Sequence, residues 1–330
     1  MLPFIFAALL GFIVIMYVIL DGFDLGIGIL FPFTQSERQR DLMMNSVAPV
    51  WDGNETWLVF GAAMLYGAFP VAYGLLMPTL YMPIMLMLIA LIFRGVSFEF
   101  RFKAVISKAV WNWAFAISSA AAAFLQGVIL GVFVQGFPVN EQKLTMNYQD
   151  WLTPFSLITG LALICGYALL GATWMVIKSE GRLQQKMVHF AKGFLTLTTI
   201  FLIFVSIWTP LHSPIIFNRW YSFPDILYLT PLPIVTMIMI YLTWKNLNRG
   251  SEYKPFFYSI AIFFCAYAGI GVSIYPYIIP HEISIWEAAA PDSTLLFILV
   301  GVVIMLPILL GYTAYAYYVF RGKTSHDGYH

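Results

Sequence analysis

Residues 2–31 read LPFIFAALLGFIVIMYVILDGFDLGIGILF, a run whose only charges are Asp21 and Asp24. A helix rises about 1.5 Å per residue and the hydrocarbon core of a bilayer is about 30 Å thick, so about 20 such residues suffice to cross it. Lipid offers no partner for an open N–H or C=O, and a segment of this composition therefore folds as a helix. No charged n-region precedes the run and no clear small-residue cleavage site follows it. It is expected to remain as a first membrane helix rather than to be removed as a signal peptide.

The same reading carried along the chain finds eight further spans, at 50–74, 76–95, 110–136, 153–177, 187–210, 223–244, 256–279 and 293–320. The second and third are separated only by the Gly74–Pro78 stretch, read as a tight hairpin turn. Of the 330 residues, 61% are apolar and only 10% charged, where a soluble domain carries about 25% charged residues. The mean hydropathy is +0.82. The expected fold is an all-α integral membrane protein of about nine transmembrane helices forming one transmembrane domain over 1–330. Its acidic motifs fall in 1–136, and 153–330 supplies the other helices. A net charge of +1 gives no electrostatic footprint for nucleic acid. Cys165 and Cys265 stand inside apolar runs and offer neither a disulfide framework nor a CxxC metal pair.

Lysine and arginine placement predicts the orientation. Fifteen of the 17 basic residues fall in the odd-numbered loops and the C-terminal tail, and only Lys143 and Arg219 fall on the other face. That places the N-terminus outside and the C-terminus in the cytoplasm, and it asks for an odd number of spans. Glu141, Asp150, Asp225, Glu282, Glu287 and Asp292 then lie on the outer side.

Charges inside a span are costly, at about 2.5–3.5 kcal/mol each near a helix centre. Asp21 and Asp24 share one face of the first helix, three residues apart. Asp52 and Glu55 repeat that spacing in SVAPVWDGNETWLVF, with Asn54 between them. Arg94, Glu99 and Arg101 stand where the third span ends, in LIFRGVSFEFRF. All three segments are expected at the cytoplasmic side. The cluster admits two readings. It is a hydrated mouth for protons, or it is an ion-pair lock between the first three helices; Glu37, Asp41 and Arg101 fit best as interfacial residues that cap helices, pair with each other and anchor loops. Trp51 and Trp57 flank the Asp52–Glu55 pair and either wall a cavity or simply pack.

The five histidines, His189, His212, His281, His326 and His330, all lie away from the middle of a span. A haem in a membrane bundle usually takes histidine or methionine ligands within the helices. A histidine-ligated haem held by this chain alone is therefore not expected, nor is a metal site. A secondary transporter would show an inverted repeat and broken helices at matching positions in two halves. Neither is visible.

The ordered runs ILDGFDLGIGILFPF, MMNSVAPVWDGNETWLV, GAFPVAYG and LIFRGVSFEFR, over residues 19–101, resemble subunit II of the cytochrome bd-type quinol oxidases, a family that includes the cyanide-insensitive oxidases. The resemblance implies two four-helix bundles plus one peripheral helix, in a bacterial inner membrane. It implies a heterodimer with a subunit I that carries two b-type haems and a d-type or third b-type haem. A small single-helix accessory subunit accompanies some members, and some hold a quinone in this subunit as a structural lipid. The complex oxidises quinol near the outer face and reduces oxygen to water with cytoplasmic protons. By the same resemblance, Asp52 matches the start of a proton path and Trp57 a residue beside an oxygen route. Asp24 and Arg94 match members of the same polar network. Glu55 departs from members that carry a neutral residue there. The alternative is a scaffold that stabilises subunit I, its acid–arginine cluster being structural.

Overall fold

The computed structural model describes residues 1–34, 36–137, 139–140, 143–144 and 150–324; Glu141, His326 and His330 lie outside them. The opening run forms α1 (Leu2–Leu30), which tightens into a 3-10 turn at Phe31–Phe33 beside Pro32. A short surface helix, α2 (Glu37–Asn45), leads into α3 (Trp51–Ala68), α4 (Pro70–Thr79), α5 (Tyr81–Lys103) and α6 (Lys108–Gln135). The two-residue strands β1 (Val139–Asn140) and β2 (Lys143–Leu144) pair antiparallel after α6. Then come α7 (Pro154–Lys178), α8 (Gly181–His212), α9 (Pro214–Tyr221), α10 (Asp225–Leu229), α11 (Pro231–Asn248) and α12 (Lys254–Ile274). A small hairpin, β3 (Tyr277–Ile279) with β4 (Ile283–Ser284), and α13 (Ile285–Ala288) precede α14 (Asp292–Val319).

Local chemistry sets these ends. Thr153 caps α7 reciprocally with Ser156, and Pro154 occupies the first turn, where its missing N–H costs nothing. Gly181, at φ 62°, takes the left-handed conformation that separates α7 from α8. Among the described residues, eight helical segments are long and apolar enough to cross a membrane. The remaining expected span, 50–74, is divided. Its break falls at Phe69, at ψ 62°, because the residue before a proline is driven out of the helical region and Pro70 has no N–H to donate. The Gly74–Pro78 stretch expected as a turn instead lies within α4, which ends at Thr79 with Leu80 as its cap. α3 nonetheless meets α14 or the residues just before it near both of its own ends. The Ala290 N–H, just before α14, donates to Ala68 O at 2.9 Å, and the Tyr317 hydroxyl near its end donates to Asn54 Oδ1 at 2.9 Å.

The centre of the molecule is the crossing of α1 and α7. Every residue from Asp21 to Phe31 is buried, as is every residue from Gly166 to Ser179. Such all-round burial leaves no solvent or lipid face, and the two backbones approach through glycine. A Cβ at Gly26 would stand 1.8 Å from Tyr167 O, and one at Gly171 would stand 2.5 Å from the Gly26 carbonyl carbon. α6 meets α7 by the same device, with Gly127 and Gly131 against Thr159 and Gly160.

The C-terminal ends of α7 and α14 meet. Lys178 Nζ donates to Phe320 O at 2.5 Å, and the Thr324 N–H donates to Lys178 O at 2.9 Å. Lys323 pairs with Glu252 at 2.8 Å, just before α12 begins. Far from there, the Tyr267 hydroxyl in the second half of α12 donates to Gly11 O at 2.9 Å. The start of α12 thus shares the end of the bundle where α1 finishes, and its last turns lie at the opposite end.

Gly26→Ala should destabilise the chain by about 3 kcal/mol or more, because a rigid carbonyl blocks the new methyl. Gly74→Ala, with nothing within 4 Å of the added carbon, should be neutral or slightly stabilising. Thermal melts of the two purified variants in detergent check the contrast.

Candidate functional site

The glycine face of α1 turns toward α7, which leaves Asp21 and Asp24 to other neighbours. Arg94, from the second half of α5, reaches between α1 and α3 with a side chain wholly shut off from solvent. Its Nη2 donates to Asp21 Oδ1 at 2.7 Å and also to Glu55 Oε1. Trp51 lies under the guanidinium at 5.6 Å and stacks on Phe98 at 5.1 Å. A buried arginine needs such surroundings, since desolvation is offset only by close counter-charge and an aromatic face.

Asp24 is held separately. Asn54 Nδ2 donates to Asp24 Oδ2 at 2.7 Å and to Leu20 O at 3.2 Å, while Asn54 Oδ1 accepts from Tyr317. The acids are graded by burial. Asp52 is exposed, the Glu55 side chain is 24% exposed, Asp21 is 1% exposed and Asp24 fully buried. Asp21 Oδ2, Asp24 Oδ1 and Arg94 Nε and Nη1 have no protein partner although buried. Donors and acceptors are thus both left open in one small region, and water is the species able to satisfy both kinds.

The structure brings together Asp21, Asp24, Asn54, Glu55, Arg94 and Trp51, with Asp52 one turn from Glu55 at the rim. It does not bring Arg101 or Glu99 to them, and the polar network expected from Arg94, Glu99 and Arg101 together divides. Arg101, also buried, lies two turns nearer the end of α5. It donates to Asp41 Oδ1 at 2.7 Å, Glu37 Oε2 at 3.1 Å and Asn112 Oδ1 at 2.6 Å, and lies over Phe31. Those contacts clamp α2 onto α5 and α6. Glu99 is exposed and pairs with Lys103 at 3.3 Å. Seven residues are about two helical turns, so 94 and 101 share a face but stand about 10 Å apart along the axis, where different neighbours pack. Trp57 is fully buried, edge-to-face with Phe12 at 6.0 Å, with its N–H unpartnered.

Three participants were not legible as such. The Tyr167 hydroxyl donates to Gln126 Oε1 at 2.7 Å, and Gln126 Nε2 donates to the Tyr17 hydroxyl at 2.8 Å. Tyr17 stands one turn before Asp21 on the same helix. This chain of donors runs from α7 through α6 toward the acid cluster. Gln126, a lone amide in an apolar span, is the signal that could have found it.

A family model, Cytochrome bd terminal oxidase subunit II, matches residues 2–320. The chain belongs to this family. As a bd oxidase subunit II it is a multi-pass membrane component of a quinol oxidase complex. It is similar to cytochrome bd-I ubiquinol oxidase subunit 2 of Escherichia coli (strain K12), at 26% identity over 363 aligned positions covering 99% of this chain and 96% of the relative. The cytochrome bd ubiquinol oxidase subunit 2 of Bacillus subtilis (strain 168) is 24% identical over 317 positions, covering 93% and 92%. Among solved structures, a chain of the bd oxidase from Geobacillus thermodenitrificans shares the fold, with a TM-score of 0.81 at 16% identity over 97% of this chain and 98% of that one. The family implies haem in the complex. The histidines described here do not fit a histidine-ligated haem inside this subunit: His189 is exposed near the start of α8, and His281 lies in the β3–β4 turn. No group of three or more metal-ligating side chains occurs among the described residues.

Outside the spans, burial alone would raise the Glu37 carboxyl, but the hydrogen bond from Arg40 and the charge of Arg101 outweigh it and hold Glu37 below the usual carboxylate range. A depressed carboxylate stabilises the fold above its unfolded value and stops doing so as pH falls through the folded one. Glu37→Gln should therefore lower the thermal midpoint at neutral pH, and the difference from the native chain should vanish in acid below the ordinary glutamate range. Paired melts across pH measure it.

Proposed function

We propose that this subunit II conducts cytoplasmic protons toward the haem-bearing subunit I, with Asp52 and Glu55 receiving them and Asp21 and Asp24 lying further in. The observation that carries the reading is the graded burial of the four carboxyls, from open Asp52 to sealed Asp24, beside buried polar atoms that no protein group satisfies. Oxygen reduction to water consumes protons inside a membrane, and the complex needs a polar way in. Trp57, sealed among aromatic rings one turn beyond Asn54, lies along the apolar side of the same helix and is the residue we assign to an oxygen route. The reading takes quinol as the electron donor and oxygen as the acceptor. It takes a bacterial inner membrane as the setting, with the N-terminus outside, as the basic residues place it.

A second reading rests on Arg94. It bridges Asp21 of α1 and Glu55 of α3 from α5, and such a bridge locks three helices whether or not protons pass. Breaking a buried pair by removing one partner costs about 3–5 kcal/mol. The lock alone predicts that assembly and activity are lost together.

Glu55→Gln in the whole oxidase should cut quinol-driven oxygen uptake by about a hundredfold while the haem absorption spectrum stays intact, the loss typical of a missing proton-transfer group. Asp52→Asn, at the open end, should cut it less. Full turnover in both, with all haems present, would remove the proton route. Loss of haem along with turnover would leave the lock as the function of the cluster.

A further inference from the structure

At the end of the bundle away from Asp21, an open cleft of about 600 Å³ lies between the α9–α10 corner and the last turns of α12. Its walls carry two opposite charges. Arg219 Nη1 donates to Val272 O at 2.9 Å, to Ser273 O at 3.4 Å and to Tyr275 O. It thereby takes up carbonyls that the end of α12 leaves open. The Nε and Nη2 donors of the same guanidinium make no hydrogen bond among the described residues. Asp225 lines the cleft from the other side and is exposed. It forms no ion pair with Arg219 or with any other described residue.

A guanidinium and a carboxylate that share a cleft without joining select against simple ions. A free anion drawn to Arg219 would face Asp225, and a free cation drawn to Asp225 would face Arg219. A ligand that carries both charges a short distance apart answers each. The floor between them is small and apolar, formed by Ala268, Gly271 and Val272. A Cβ at Gly271 would meet nothing within 4 Å, so the groove stays open there. Tyr228 and Tyr275 stand at the cleft, and Trp220 is fixed beside it by its bond to Ser273 Oγ at 2.8 Å. Amphipathic rings of this kind mark the depth where headgroups meet hydrocarbon.

We propose that this cleft holds one zwitterionic aminophospholipid, with its phosphate on Arg219, its ammonium on Asp225 and its upper acyl chain along the Ala268–Val272 face of α12. The site is independent of the acid cluster and of any proton route through it. The bound lipid closes the corner where α8 has ended and α11 has not yet begun.

The test uses the purified, delipidated whole oxidase and native mass spectrometry. It is offered phosphatidylethanolamine, phosphatidylglycerol or soluble phosphorylethanolamine. One phosphatidylethanolamine should be retained in preference to phosphatidylglycerol by roughly threefold, the scale of one partly exposed ion pair. Asp225→Asn should erase that preference while leaving the thermal midpoint unchanged, because the Asp225 side chain makes no ion pair or hydrogen bond among the described residues. Arg219→Gln should release both lipids, and the midpoint should fall as well, since α12 loses its cap. Preference for phosphatidylglycerol in the native complex would overturn the proposal. So would an unaltered preference in Asp225→Asn, retention of phosphorylethanolamine as strong as that of the lipid, or a quinone bound there in place of lipid.

Discussion

Arg94 carries a full positive charge on a side chain shut off from bulk solvent, and its neighbours are arranged around that condition. A guanidinium so placed is tolerable only with counter-charge at hydrogen-bond distance. Asp21 supplies it from α1 and Glu55 from α3, so three helices meet at one side chain. Trp51 closes the remaining face. The number of acids exceeds what one arginine can neutralise, and the surplus is what gives the cluster chemical scope. Asp24 leans on a neutral amide rather than a cation. On the proposed proton route, acids held this way would exchange protons without releasing the bridge that keeps the helices together.

A second buried arginine, Arg101, shows the purely mechanical version of the same physics. Its partners Glu37 and Asp41 are partly open to solvent and sit on a short surface helix. Here the charges hold α2 in place at the membrane surface, and nothing lies behind them. The two arginines stand on one helix, yet they divide the polar residues of this end into an inner group and an outer one.

Much of this was legible in the sequence. Acids at i and i+3 in an apolar run announced a shared polar face, and the run itself announced a span. Arginine at 94 announced a partner for them. The division between Arg94 and Arg101 was not legible, because spacing along a helix says nothing about which neighbour each side chain meets. The break at Phe69–Pro70 was visible in principle, but three nearby prolines and Gly74 offered competing places for it, and packing decided among them. Tyr17, Gln126 and Tyr167 come from three different helices. Their connection depends on the α1–α7 crossing, which is a property of the tertiary structure. The Tyr317 contact with Asn54 likewise joins residues 263 positions apart.

The interleaving of glycines and acids in DGFDLGIG has a mechanical corollary. One side of this short stretch is pressed against the α7 backbone, and the other carries the carboxyls. Advancing α1 by one residue would swing its side chains through about 100° and bring Leu25 or Ile27 to the place where only Gly26 fits against the Tyr167 carbonyl. The helix is therefore keyed like a shaft in a slot: it can neither roll nor slide without dismantling the crossing. Whatever passes the carboxyls must do so past a fixed post, and any gating belongs to side-chain rotation or to water, with α1 itself standing still.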